Sequence, residues 1–181
     1  MKKPEKLKAW FYEYILALFI VPKCVSCGRI LEDKESVFCT DCRLPYQEEK
    51  RRVCSRCFSV RERCICAPLS LERAGLSRLV KLYRYYPRKQ GCPGNDIIYR
   101  LKREHLAAVT DFLANELVNA SAATVECIGS YSVAYAPRNR AAINRYGYDH
   151  MRILAKKYAD LLGLPLVHAI KRKGRSKAQK K

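Results

Sequence analysis

The sequence predicts an α/β protein with a cysteine-rich metal module ahead of its sheet. Eight of the ten cysteines fall in four tight pairs between residues 24 and 66, and the second half alternates helical and strand periodicity. The third observation is charge: 36 Lys and Arg against 17 Asp and Glu leave a formal +19 over 181 residues. That length accommodates one ordinary domain and a small module.

Cys24/Cys27, Cys39/Cys42 and Cys54/Cys57 read C-x2-C, and Cys64/Cys66 reads C-x-C. Each pair puts two thiolates on one turn of backbone, and two pairs complete a tetrahedral S4 shell for Zn2+. The segment has too few apolar side chains to hold itself by burial, so ligation is expected to supply most of its folding free energy. Gly28 to Phe38 is long enough for a hairpin between the first two pairs, and Phe58 to Arg63 for a tight return between the last two. Sequential pairing gives two zinc ribbons, Cys24/Cys27/Cys39/Cys42 and Cys54/Cys57/Cys64/Cys66. Spacing leaves open an interleaved pairing, a single occupied site, and disulfides, which need an oxidising compartment. A lysine-rich start leads into Trp10 to Val21 much as in a signal peptide, but Glu13 interrupts the apolar run. No small-x-small cleavage site precedes Cys24. The expectation is a cytoplasmic zinc protein, with Cys92 and Cys127 as buried or half-buried thiols.

The basic excess favours polyanions: nucleic acid, anionic lipid or phosphorylated small molecules. A basic surface serving only solubility is the alternative. No stretch reaches the ~18 to 20 apolar residues of a membrane span. Leu7 to Val21 carries Lys8 and Glu13 and reads as a helix stopped by Pro22. The expected organisation is a leading helix over 1–22, the cysteine module over 23–68 and an α/β body over 69–181.

Leu71 to Leu82 reads as a connector. Tyr83, Tyr85 and Tyr86 then stand among Arg84, Arg88 and Lys89, before a break from Pro87 to Gly94. Such tyrosines either stack on bases while the cations track phosphates, or form a strand surface. Asn95 or Asp96 caps an expected helix in which Ile97, Ile98, Leu101, Leu106, Val109, Phe112, Leu113 and Leu117 recur at helical spacing. It ends near 119–123, with Lys102 and Arg103 outward and His105 at the core edge. Tyr131, Val133 and Tyr135 alternate with small residues as a strand ended by Pro137. A basic loop, Arg138 to Arg145, follows. Met151, Leu154, Ala155, Tyr158, Leu161 and Leu162 form one helical face between an Asp149 N-cap and a Gly163 C-cap. Leu164 to Ile170 starts a second strand, ahead of a strongly basic KRKGRSKAQKK segment. This is the opening of a right-handed α/β layer, at most half of a doubly wound sheet, whose last strand is an uncovered edge.

This order of parts resembles the ComF family, competence-associated bacterial proteins with a phosphoribosyltransferase-like domain behind a double zinc ribbon. The resemblance rests on the cysteine pairs, "IIYRLKR", the strand "VAYAP" and "RYGYDHMRILAKKYADLLGLPL". Gly147, Tyr148, Asp149 and His150 take the places of the family's G-F-N-Q. Pro137 alone is kept from its V-P-V-P strand. It implies an incomplete type I phosphoribosyltransferase-like, Rossmann-like body. Members carry a D-D-x-x-T-T-G loop for phosphoribosyl pyrophosphate, and no residue here matches it. Either the reading frame continues past Lys181, or the gene is truncated, or the protein works without the nucleotide sugar. Phosphoribosyl pyrophosphate is therefore not an expected ligand of this chain alone.

The function that follows is nucleic-acid binding, with single-stranded DNA preferred, in natural transformation. The nominated contacts are Arg51, Arg52, Arg56, Arg61, Arg63, Arg84, Arg138 and Arg140. Two other classes stand beside it. One is a phosphoribosyltransferase-like enzyme in which Arg138, Arg140 and Arg145 face a phosphate. The other is an adaptor that docks proteins of the competence machinery.

Overall fold

The computed structural model describes residues 21–76, 78–86 and 91–171. The expected leading helix as far as residue 20, the Pro87 to Gly94 break as far as residue 90, including Arg88 and Lys89, and the basic terminal segment from residue 172 lie outside the described residues. Helices α1 (Thr40–Arg51), α2 (Leu69–Glu72), α3 (Pro93–Arg103) and α4 (Ala107–Ala122) precede strand β1 (Val133–Ala134). Helices α5 (Arg140–Tyr146) and α6 (His150–Leu162) and strand β2 (Leu166–Val167) complete the chain, with short 3-10 turns at Arg61–Arg63 and Ile128–Ser130. The protein is mixed helical with a small parallel sheet, β1 against β2, in the register Val133↔Leu166 and Ala134↔Val167. Both strands are two residues long, far shorter than the alternating runs predict. Among the described residues no helix is long and apolar enough to cross a membrane.

Local chemistry sets α6 as expected. The Asp149 carboxylate accepts from the amides of Met151 and Arg152, and Gly163 closes the helix at φ 66. Leu154, Ala155 and Ala159 are buried along it, whereas Leu161, expected in the core, is exposed. Helix α4 lies along α6, tied by Tyr158 Oη donating to Ser121 Oγ at 2.7 Å and by Lys157 with Asp111 at 2.9 Å.

The single helix expected from Asn95 or Asp96 to about 119–123 is two helices. Its start is Pro93, after Cys92 at the N-cap position, where the missing N–H of proline costs nothing. Neither Asn95 nor Asp96 caps it. Asn95 is buried, accepting from the Tyr86 amide and donating to the Tyr86 carbonyl, and Asp96 accepts from Ser26 Oγ. The break falls at Glu104 to Leu106 for a tertiary reason. Tyr148 Oη donates to the Leu101 carbonyl at 2.9 Å, and Arg138 Nη2 to the Lys102 carbonyl at 2.6 Å. Those carbonyls would otherwise take the amides of His105 and Leu106, so side chains from the α5–α6 region end the helix. His105 is exposed, its ring 5.2 Å from that of Tyr148.

The basic loop expected over Arg138 to Arg145 is largely helix α5. Asn139 accepts from the Ala142 amide at its start, and Gly147 ends it at φ 79. One apolar core crosses the expected module boundary. Cys24, Val25, Leu31, Val37 and Phe38 of the cysteine segment pack with Tyr46, Ile97, Leu101, Val109, Leu113, Ala114 and Leu154. Ser26 Oγ reaches Asp96 Oδ2 at 2.6 Å, adding a polar tie between the cysteine segment and α3.

Candidate metal centres

The eight paired cysteines form two groups, Cys24/Cys27/Cys39/Cys42 and Cys54/Cys57/Cys64/Cys66, the sulfur atoms of each lying within 4.8 Å of one another. This is the sequential pairing; the interleaved arrangement is not formed. A zinc ion with four sulfurs at ~2.3 Å requires sulfur–sulfur edges of about 3.8 Å, and Cys27 Sγ lies 3.6 Å from Cys39 Sγ. Ten free cysteines and no disulfide are present. The donor set and spacing fit a tetrahedral thiophilic ion.

The backbone builds the two leading knuckles alike. In the first, the Cys24 amide donates to the Arg29 carbonyl, the Gly28 amide to Cys24, and the Leu31 amide to Pro22. In the second, the Cys54 amide donates to the Ser59 carbonyl, the Phe58 amide to Cys54, and the Arg61 amide to Arg52. Single antiparallel bridges, Lys23↔Ile30 and Val53↔Val60, close both turns. The second pairs differ. Cys39 and Cys42 sit at the N-cap and first turn of α1, a helix absent from the expected ribbons. Cys64 and Cys66 follow the 3-10 turn on an extended segment bridged to Arg78.

The sulfurs are prepared for ionisation unevenly. Burial opposes charge on Cys24, but the amides of Cys27, Cys39 and Ser26 outweigh it and bring its pKa down to about 6. The amides of Cys57 and Arg56 bring Cys54 to about 6. Burial, then proton sharing with the other three thiols, pushes Cys42 up to about 12. Hydrogen bonding to Cys57, then burial, raises Cys66 to about 11. A metal ion that takes up Cys42 and Cys66 therefore displaces their protons as it binds. Lys81, which the sequence pattern does not single out, donates to Cys64 Sγ at 3.3 Å and to the Cys66 carbonyl. Only the fold brings it from beyond α2 to the second centre.

The nominated arginines are not one surface. Arg52 pairs with Glu49 at 2.9 Å and donates to Tyr86 Oη. Arg61 pairs with Glu49 at 3.4 Å. Arg56 pairs with Glu72 at 3.0 Å and donates to the Ala67 carbonyl. Arg138 is structural: besides Lys102 it donates to the Tyr148 carbonyl, and its guanidinium lies 4.6 Å from the Tyr146 ring centre and 5.5 Å from that of Tyr148. Arg84 lies 5.3 Å from the Tyr86 ring centre. Arg51, Arg63 and Arg140 are exposed and have no acidic partner among the described residues.

The tyrosine cluster divides in the same way. Tyr83 packs on Tyr46 at 5.6 Å, and Tyr86 Oη donates to the Glu49 carboxylate. Tyr85 remains exposed, its hydroxyl 3.0 Å from that of Tyr99. Cys92 is buried as expected, but Cys127, expected to be buried or half-buried, is exposed at φ 51.

The N-terminus of α6 is capped by the protein itself. The Asp149 carboxylate takes the amides of Arg138, Met151 and Arg152. No family model matches the chain, and comparison with curated proteins and with solved structures gives no match.

Proposed function

We propose that this chain is a ComF-like protein holding two zinc ions, one in each cysteine tetrad, and binding single-stranded DNA during uptake by competent cells. Zinc is assigned because four thiolates in a tetrahedral shell select it over oxygen-seeking cations. A cytoplasmic location keeps those thiols reduced. The observation that carries the reading is the pair of S4 centres on a chain of charge +19, with Arg51 and Arg63, exposed and without acidic partners among the described residues, flanking the second set of ligands in sequence. The phosphoribosyltransferase-like, Rossmann-like body is supported only by the parallel β1–β2 pair and the helices between.

Phosphate contacts by Arg51, Arg63 and Arg140 would be sequence-independent and salt-dependent. Three such contacts on a single strand give a slope of about −2 in log K against log salt. Binding of fluorescent single-stranded DNA at rising salt tests this, and a flat response or no binding contradicts it. The enzyme reading is weaker, because no residue of this sequence matches the D-D-x-x-T-T-G loop that would hold the nucleotide sugar. We expect no phosphoribosyl transfer from this chain alone; pyrophosphate release on incubation with phosphoribosyl pyrophosphate would contradict that.

A further inference from the structure

The two knuckles share their backbone hydrogen bonds at an offset of thirty residues, Cys24 matching Cys54 and Gly28 matching Phe58. At the matched position both turns enter the left-handed region, Gly28 at φ 75 and Phe58 at φ 56. Glycine enters that region freely, whereas a bulky side chain there is strained. Folding gives no return for the strain at Phe58. Its side chain is 81% exposed, it belongs to no core cluster, and no ring packs on it among the described residues. Strain held on an exposed flat ring points to a role outside the fold.

The charge around the ring indicates what meets it. Residues 50–66 contain six basic side chains and one acidic, while residues 23–42 contain three basic and four acidic. A tetrathiolate metal centre adds the same negative charge to both, so the contrast survives metal loading. The second centre also has Lys81 against Cys64 Sγ. Exposed Arg51 and Arg63 keep their charges free of acidic partners among the described residues. A protein groove would use the ring alone; a polynucleotide strand uses ring and cations together, base on the ring and phosphates on the arginines.

We infer that Phe58 is a base-stacking platform for single-stranded nucleic acid on the second metal centre, with Arg51 and Arg63 receiving phosphates, and that the first centre makes no such contact. This rests on the nucleic-acid reading above and assigns it to one of the two centres.

The test uses the metal-loaded full chain with a short oligothymidine and a matched abasic oligonucleotide that keeps the phosphates. Phe58→Gly weakens oligothymidine binding about tenfold, as expected for one stacked base. It leaves abasic binding unchanged, keeps two metal ions and does not lower the melting temperature, because glycine relieves the φ 56 turn. Phe58→Trp restores tight binding, and Ile30→Ala on the first knuckle has no effect. Unchanged oligothymidine affinity in Phe58→Gly overturns the platform while leaving the nucleic-acid reading standing, and is the result expected of a protein-docking ring. Equal loss on both oligonucleotides, or loss of metal in Phe58→Gly, also overturns it. If the unaltered chain binds neither oligonucleotide, the nucleic-acid reading itself fails.

Discussion

Removing one ligand from each centre in turn should have very unequal consequences. Cys27 and Cys57 occupy matched positions and are both exposed, so Cys→Ser at either leaves no cavity and acts through the metal alone. The first centre organises Val25, Leu31, Val37 and Phe38, all buried in the common core. At about 1.5–3 kcal/mol for each buried side chain, these contribute roughly 6–12 kcal/mol, an upper figure because the unfolded chain already buries some of that surface. A whole domain of this kind is stable by about 5–15 kcal/mol. The second centre supplies no residue to that cluster. It is fastened by ion pairs, the exposed Arg56 to Glu72 worth about 0–1 kcal/mol, and Arg61 to Glu49 and Lys50 to Glu62, which are more shielded from solvent. Cys27→Ser should therefore lose the cooperative thermal transition followed by near-ultraviolet circular dichroism. Cys57→Ser should lose one equivalent of metal by mass spectrometry, keep the cooperative transition and lose far less stability than Cys27→Ser. Equal destabilisation by the two variants, or a Cys27→Ser protein that melts like the parent, refutes the reasoning.

Other expectations concern the body. A Cβ on Gly94 would lie 2.7 Å from the ring of Tyr83, itself packed on Tyr46. Gly94→Ala should cost about 1–3 kcal/mol through overpacking despite its helical propensity, and an unchanged or raised melting temperature counts against that packing. His150 is buried, with Nδ1 unpartnered among the described residues. Burial, then Arg138, with Lys102 adding to them against the opposing charge of Asp149, lowers its pKa from 6.5 to about 4. The neutral ring is thus favoured on folding, and its contribution, full above pH 6.5, fades as pH falls from 6.5 towards 4. The loss is at most about 3 kcal/mol, and denaturant titrations of His150→Gln should show a shallower acid slope. An identical slope would refute this. Arg138→Ala should lose about 2–3 kcal/mol, since its guanidinium holds two carbonyls, whereas exposed Arg140→Ala should stay within about 0.5 kcal/mol. Chemical denaturation compares them, and equal effects would remove Arg138 from its structural role.

The tetrads and α6 were legible because their determinants are local. Thiol spacing makes sequential pairing the simplest arrangement, although only the fold excludes the interleaved one, and Asp149 and Gly163 mark the ends of one apolar stripe. What the sequence did not disclose depends on residues far apart. Helix α3 stops at Arg103 because Tyr148 and Arg138, more than thirty residues on, take its last carbonyls. Helix α1 was hidden by Pro45 and by a sequence with one buried side chain, Tyr46; its position is set by Cys39 and Cys42 and by Lys50 pairing with Glu116 at 2.8 Å. Arginine counting overstated the basic surface for the same reason. Arg52, Arg56, Arg61 and Arg138 look alike in sequence to Arg51 and Arg63, and only the fold reveals that the first four have partners. The contrast between Gly28 and Phe58 emerged only with the matched left-handed turns.

Zinc K-edge absorption on the purified chain, combined with metal counting, probes both centres at once. Two zinc ions per chain, each with four sulfur neighbours at about 2.3 Å, are the predicted result. One ion, a shell containing nitrogen or oxygen, or cysteines oxidised in pairs with no metal would contradict the two-centre architecture.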